Sequence, residues 1–265
     1  DGFTVGTEDR ANESSETYAS WLWDAGTTAS GANNDGSLNI ASGDQWVNPT
    51  AGFSITKYTG PGSGDFTFGH GLNAVPEFIL IKQLDATGNW LVQHKGITLG
   101  SGRLILNTTE SADTSHADVY WNSTAPTNTL ISIGDNSNVY DSGGTFTCLA
   151  WTAIKGYSAF GSYEGNGSDT AGPFINLGFA PKYVLVKNVD SIGDWCITDW
   201  IRAGRNNNAD ALYANNTGAE GNPNVMDFLS NGFKIRTTQD NWNKSGNTLI
   251  YAAFADHPFK TARAK

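Results

Sequence analysis

Residues 233–254 read FKIRTTQDNWNKSGNTLIYAAF. The stretch has a short alternating apolar start, a polar loop of Asp, Asn and Ser, and then a Thr that opens a longer hydrophobic strand. The same plan returns at 131–151, ISIGDNSNVYDSGGTFTCLAW, and at 3–23, FTVGTEDRANESSETYASWLW. Thr248, Thr145 and Thr17 hold one place in the three copies. The two later copies each close a long repeat, whereas the first stands alone. Residues 1–25 are therefore predicted to be the C-terminal strand pair of a preceding, partial repeat, so that the chain starts inside a larger arrangement. That pair must bury Tyr18, Trp21 and Trp23, either on the first full repeat or as a strand donated to another subunit.

The full repeats are predicted at 52–156 and 157–255. Between them Tyr58 matches Tyr163, Gly60 and Gly62 match Gly165 and Gly167, and Pro76 matches Pro181. Lys82 matches Lys187, Asp85 matches Asp190, Gly88 matches Gly193 and Trp90 matches Trp195, all at one constant spacing. Asn107 aligns with Asn215 after a small insertion. Residues 78–81 and 183–186 are short continuous apolar runs, the pattern of strands covered on both faces. Alternation resumes after a turn, with Trp90, Val92 and His94 on one face, as with Trp195, Ile197 and Asp199. Gly88 and Gly193 are expected to supply the positive φ of a tight hairpin. No long segment carries a clear helical period. The expected fold is all-β: two tandem β-sandwich repeats, jelly-roll-like, preceded by the partial repeat. Residues 26–51 read as a linker with one short strand near 37–40, and 256–265 as a C-terminal tail that Phe259 could anchor on a neighbour.

The 265 residues carry a net charge of −10, and only 16% are charged, which suits many strands and tight turns better than exposed helices. An acidic chain lacks the positive field that nucleic acid or an anionic membrane surface requires. No apolar run is long enough to be inserted across a bilayer as a helix. Cys148 and Cys196 stand at non-equivalent positions inside predicted strands, which disfavours a disulfide between them.

A search for chemistry finds no HExxH, CxxC, GxSxG or phosphate-binding loop motif, and the expectation is a protein that is not an enzyme and has no cofactor. The glycine pairs Gly60–Gly62 and Gly165–Gly167 read as turns. His70, His94, His116 and His257 are not at metal-ligand spacing. Asp135, Asn136, Asn138 and Asp141 could surround a calcium ion, but Asp and Asn also fill turns for local reasons, and no metal site is expected. Nothing marks a glycosidase carboxylate pair.

Aromatic residues discriminate better. Trp90 and Trp195 share a repeat position, as do Trp23, Trp151 and Phe254, which suits a core role. Trp242 sits in the polar loop DNWNKSG, where the other copies have Ala11 and Val139. An exposed ring there, flanked by Asn241 and Asn243, could stack on a sugar while the amides bond its hydroxyls. The insertion GRNNNAD, with Arg205, Asn207 and Asp210, is the other unmatched polar surface. These six residues form the expected ligand-binding set.

The succession GFSITKYTG, FGHGLNAVPEFILIK, GNW, FLSNGFKI and SGNTLIYAAFADHPFKTARAK resembles a repeated β-domain family of bacteriophage virion proteins, tail-fibre-like or otherwise structural. The resemblance covers nearly the whole chain, with one departure: TNTLISIGDNSN replaces the FLSNGFKI segment in the first repeat. It carries over no functional residue. It implies a non-enzymatic virion structural protein located on the extracellular particle, a tail-fibre or appendage segment contributing to host-surface attachment. Its partners would be itself, as a homo-oligomer and a trimer if a fibre, other virion proteins, and a host-surface glycan. A capsid decoration protein without a ligand and a secreted carbohydrate-binding module stay open as alternatives.

Overall fold

The computed structural model describes residues 3–62, 64–206, 210–221 and 224–255. The fold is all-β, in antiparallel sheets with a few one-turn helices. In the first half the strands are β1 (Gln45–Asn48), β2 (Phe53–Thr59), β3 (Phe66–Gly69), β4 (Phe78–Gln83), β5 (Leu91–His94), β6 (Leu104–Ile105), β7 (Leu130–Ile133) and β8 (Thr145–Trp151). In the second they are β9 (Ser158–Glu164), β10 (Phe174–Asn176), β11 (Pro181–Asn188), β12 (Trp195–Asp199), β13 (Leu212–Tyr213), β14 (Met226–Leu229), β15 (Gly232–Ile235) and β16 (Thr248–Ala255). The large sheets run β1-β2-β8-β4-β5-β6 and β9-β16-β11-β12-β13; β3 pairs with β7, and β10-β15-β14 form a small sheet. From β2 and from β9 onward, the two large sheets follow the same order, strand for strand.

Three cores explain the apolar runs. Ile79 and Ile81 face one core with Phe68, Ile131 and Phe146, between the first large sheet and the β3–β7 pair. Val184 and Val186 face another with Phe228, Phe233 and Trp242 on the opposite side of the second large sheet. The intervening residues, Phe78 and Val92 from the first half and Tyr183, Leu185 and Ile197 from the second, meet in a third core between the two large sheets. Each large sheet is therefore buried on both faces, and its second cover is the other half of the chain. That is why 78–81 and 183–186 carry no alternation.

The matched polar landmarks have matched structural tasks. Asp85 Oδ2 accepts the Thr145 backbone N–H at 2.8 Å, and Asp190 Oδ2 accepts that of Thr248 at 2.6 Å. Each carboxylate thus satisfies the first amide of the long strand that closes its half. Tyr58 donates its hydroxyl to the Val139 carbonyl and Tyr163 to that of Trp242, both at 2.7 Å. Asn107 Oδ1 accepts the Trp90 N–H at 2.8 Å, and Asn215 Oδ1 accepts that of Trp195 at 2.7 Å. A Cβ on Gly60 would lie 2.0 Å from the Asp141 carbonyl oxygen, and one on Gly165 2.2 Å from that of Lys244, so both glycines are there for close backbone approach. Asp190→Ala should lower stability by about 1 kcal/mol while Asp190→Asn retains most of it, measured by urea unfolding.

Four expectations need correction. Residues 3–25 form no strand pair: they hold the short helix α1 (Asp9–Asn12) and an extended stretch that packs through its side chains. Residues 26–51 are not a free linker. Ile40 joins the first core, 37–40 has only an isolated bridge from Ile40 to Asn33, and the strand is β1, an edge strand on β2. The sandwiches are unequal, six strands against two and five against three, rather than the two comparable sheets of a jelly roll. In the first half the helix α2 (Ala117–Trp121) stands where β14 would complete the small sheet, with Trp121 buried in the core. That substitution accounts for the departure at TNTLISIGDNSN. Finally, Gly88 and Gly193 are not at positive φ. Lys82 and Lys187 hold that turn instead, donating to carbonyls of Ala86 and of Gly193.

Candidate functional site

The expected polar-loop site does not take the form anticipated for it. Trp242 lies on the one-turn helix α4 (Asp240–Asn243) and is 0% exposed, buried in the second core. Its position matches Val139, equally buried, because the tyrosine hydroxyl bonds anchor both loops to the same place. Asn243 is also buried and fully engaged: its Oδ1 accepts from Asn166 N, and its Nδ2 donates to the carbonyls of Ser168 and Thr237. Asn241 forms a two-bond pair with Asp194, accepting its N–H at 3.1 Å and donating to Oδ2 at 3.2 Å. These amides fasten backbone, leaving the α4 loop without an aromatic platform.

In the other loop, the Arg205 guanidinium stacks 4.1 Å from the Trp200 ring centroid, and the Arg205 carbonyl accepts from Phe228 N. The Asp210 carbonyl accepts the Thr198 hydroxyl. Asn207 lies outside the described residues, as do His257 and the tail from 256, Phe259 included. Asn136 Oδ1 accepts from the backbone and side-chain amides of Asn138, a local turn. Cys148 and Cys196 are free thiols in separate cores, so no bridge joins them.

A concavity lies elsewhere among the described residues, along the extended segment after α1. Trp23 enters the seam between the two large sheets, making edge contacts with Trp151 of the first half and with Tyr183 and Phe254 of the second. Trp21 packs edge-on against Tyr183 at 5.5 Å. The first-repeat packing expected for this segment is thus only half of the contact, since the segment wedges between both halves. Beside it opens a cavity of about 580 Å³, lined by Tyr18, Trp21, Leu22, Lys182, Ile201 and Arg202, among others. Leu22 is 71% exposed, and Tyr18 and Ile201 are also exposed on its rim.

The polar side of the groove is built at the end of β12. Asp199 N-caps the short helix α3 (Trp200–Ala203), accepting the Arg202 N–H at 3.1 Å, and its other oxygen accepts Arg202 Nε at 2.7 Å. Glu220 binds a second guanidinium nitrogen of the same arginine. The guanidinium lies 5.7 Å from the Trp21 ring centroid. Burial pushes the Tyr183 phenol upward; Asp199 adds to this and Arg202 opposes it. Tyr183 is therefore a neutral hydroxyl and ring at physiological pH. The groove offers aromatic faces, aliphatic rims, a lysine amine and an arginine already paired to two carboxylates. That inventory suits binding by stacking and hydrogen bonding.

His94 occupies the position matched to Asp199 and does the same work. Its Nδ1 accepts the Gly96 N–H at 3.0 Å, capping the 3-10 turn Lys95–Ile97, while Nε2 bonds the Tyr251 carbonyl of the second half at 3.0 Å. Either side chain can accept one amide, which explains why the position takes both residue types. Sequence reasoning missed Lys182, Ile201 and Arg202 as groove residues. The available signal was the need of Trp21 and Trp23 for a partner, which pointed to the segment but not to the surface receiving it.

Two unequal antiparallel sandwiches joined face to face, with an N-terminal segment wedged in their seam, define a four-layered all-β protein. A model for a domain of unknown function, DUF7483, matches residues 1–258, and the chain belongs to that family. No curated protein and no solved structure matches the chain. No helix among the described residues is long and apolar enough to cross a membrane.

Proposed function

We propose that this chain is a non-enzymatic structural protein of a bacteriophage virion, a tail-fibre or appendage segment that contributes to attachment to the host surface. The virion assignment is supported by the resemblance of its ordered motifs to β-domains of such proteins and by its acidic, all-β composition. The observation that carries the attachment role is the aromatic groove beside Trp21, of a size that accommodates one or two sugar rings. Tyr18 and Trp21 supply faces for the apolar side of a pyranose, and Lys182 supplies a donor for its hydroxyls. The groove favours this reading over a decoration protein with no ligand.

The test has two parts. Mass spectrometry of purified particles should detect the chain; its absence would remove the virion assignment. Trp21→Ala, with the fold checked by its unfolding midpoint, should weaken adsorption of the purified chain to host envelope glycans about fivefold, the loss of roughly 1 kcal/mol of stacking. Unchanged adsorption would remove the groove from the attachment function.

A further inference from the structure

The contact between the two halves is one-sided, and its unfilled counterpart is on display. Residues 105–112 of the first half lie across the turn between β11 and β12. The Trp195 indole N–H donates to the Ile105 carbonyl at 2.8 Å. The Thr109 carbonyl accepts Gly193 N–H at 2.9 Å and Lys187 Nζ at 3.2 Å, and Ala112 N–H donates to the Val189 carbonyl at 2.8 Å. Lys187 is fully buried by this, and Val189 is 5% exposed.

The same four receiving positions exist in the first half as Lys82, Leu84, Gly88 and Trp90, two identical pairs of side chains, one identical glycine and one aliphatic exchange. There, among the described residues, no segment of the second half hydrogen-bonds to them. Leu84 is 56% exposed, Gly88 is exposed and Trp90 is only half-buried. Lys82 Nζ turns back to the carbonyls of its own turn, Gln83 and Ala86. The inserting segment also has its counterpart. The bridge from Arg103 to Asp113 corresponds to that from Ala211 to Gly221, and Asn107 to Asn215, so residues 213–220 match 105–112. Residues 216–220 are exposed. Inside one chain the two are not bonded as their equivalents are, and Trp23 stands between the large sheets at Trp151, Tyr183 and Phe254.

We propose that the turn 82–90 is a docking site for residues 213–220 of a second copy of this chain, in the manner of the contact within the chain. The occupant is specified by that internal template. The inserting segment contributes mainly backbone groups, the carbonyls of Ile105 and Thr109 and the N–H of Ala112, so the replacement of its side chains in 213–220 preserves the bonding pattern. Recognition resides in the receiving turn, and there the residues are retained. The contact is heterologous: each copy presents one receiving turn and one inserting segment, so copies join head to tail and close into a ring, or continue, according to the rotation per step. This inference does not depend on the virion assignment.

Leu84→Arg and Ala219→Arg each block one side at a solvent-facing position, and unfolding midpoints check that neither disturbs the fold. Sedimentation velocity across a micromolar-to-millimolar series should show concentration-dependent association of the parent chain. Each variant alone should lose it, with the dissociation constant raised at least tenfold. An equimolar mixture of the two should form pairs and nothing larger, because the mixture restores one intact contact between unlike partners. A parent chain that stays monomeric throughout, association that survives Leu84→Arg, or loss in both variants without recovery on mixing would each overturn the proposal.

Discussion

Acidification from pH 6.5 to pH 4 should strip this protein of most of its stability, and replacing His70 and His94 together by glutamine should flatten that dependence. Both histidines are buried. Desolvation is the leading cause that draws each imidazole from 6.5 down to about 4. For His94, Lys95 reinforces the shift and the bond to the Tyr251 carbonyl opposes it; for His70, the Thr127 carbonyl and Asp35 oppose it. In both rings Nδ1 is an acceptor, from Gly96 N–H and from Leu72 N–H, so protonation there would set two donors face to face.

Between pH 6.5 and 4 the unfolded chain therefore takes up two protons that the folded chain refuses. Stability is fully present above the unfolded value near 6.5 and falls as pH drops toward 4, the sense of a depressed folded pKa. At 1.36 kcal/mol per unit, each ring contributes on the order of 3 kcal/mol, a sum comparable with the whole stability of an ordinary domain. Urea midpoints at pH 7 and pH 4.5 read the effect directly. Glutamine can keep both an acceptor and a donor at each site, so a flattened slope isolates the proton. An unaltered slope in the double variant would place the acid sensitivity in other groups. For Asp113 desolvation is the largest single influence and pushes the carboxyl up, but Ser115 N–H, His116 and Arg103 together outweigh it and hold the group below the usual carboxylate range, so it titrates in a lower window and does not confuse the reading.

What the sequence disclosed and what it hid follow from one distinction. Periodicity and spacing report how a residue is environed, not by whom. The landmarks Asp85 and Asp190, Tyr58 and Tyr163, and Asn107 and Asn215 were legible because each makes one backbone bond inside its own half, and the bond recurs with the spacing. The runs at 78–81 and 183–186 were legible as strands covered on both faces, but nothing in them names the other large sheet as the second cover. The groove gathers residues 18–23, 157, 182–183, 199 with 201–202, and 254–255, five stretches with no shared pattern, and only the topology brings them together. Gly88 and Gly193 misled because a glycine in a turn suggests positive φ, whereas this turn is held by lysine-to-carbonyl bonds. Nor does any local pattern separate a donated strand from a wedge: the alternating TYASWLW serves both, and the wedge forms because Trp21 and Trp23 find aromatic partners on one side of the segment only.

Trp242→Ala should be among the most damaging single substitutions for the fold and should leave ligand adsorption through the groove untouched once the protein is folded. The loop around Trp242 is polar, and a tryptophan among asparagines invites a binding role. Yet Asn241 and Asn243 spend their amides on Asp194, Asn166, Ser168 and Thr237, and in doing so press the indole into the second core. Removing it empties the space beneath Tyr163, whose hydroxyl bonds the Trp242 carbonyl, at a cost of about 3–5 kcal/mol. Val139→Ala, at the matched place in the first half, removes far less volume and should cost correspondingly less. Trp242→Phe tests the nature of the site. The indole Nε1–H has no partner among the described residues, so phenylalanine loses some packing but also removes a buried donor, and should cost less than half as much as alanine. Urea unfolding of the three variants ranks them. A mild Trp242→Ala, or one that abolishes adsorption at unchanged stability, would return the ring to the surface and the α4 loop to the list of binding elements.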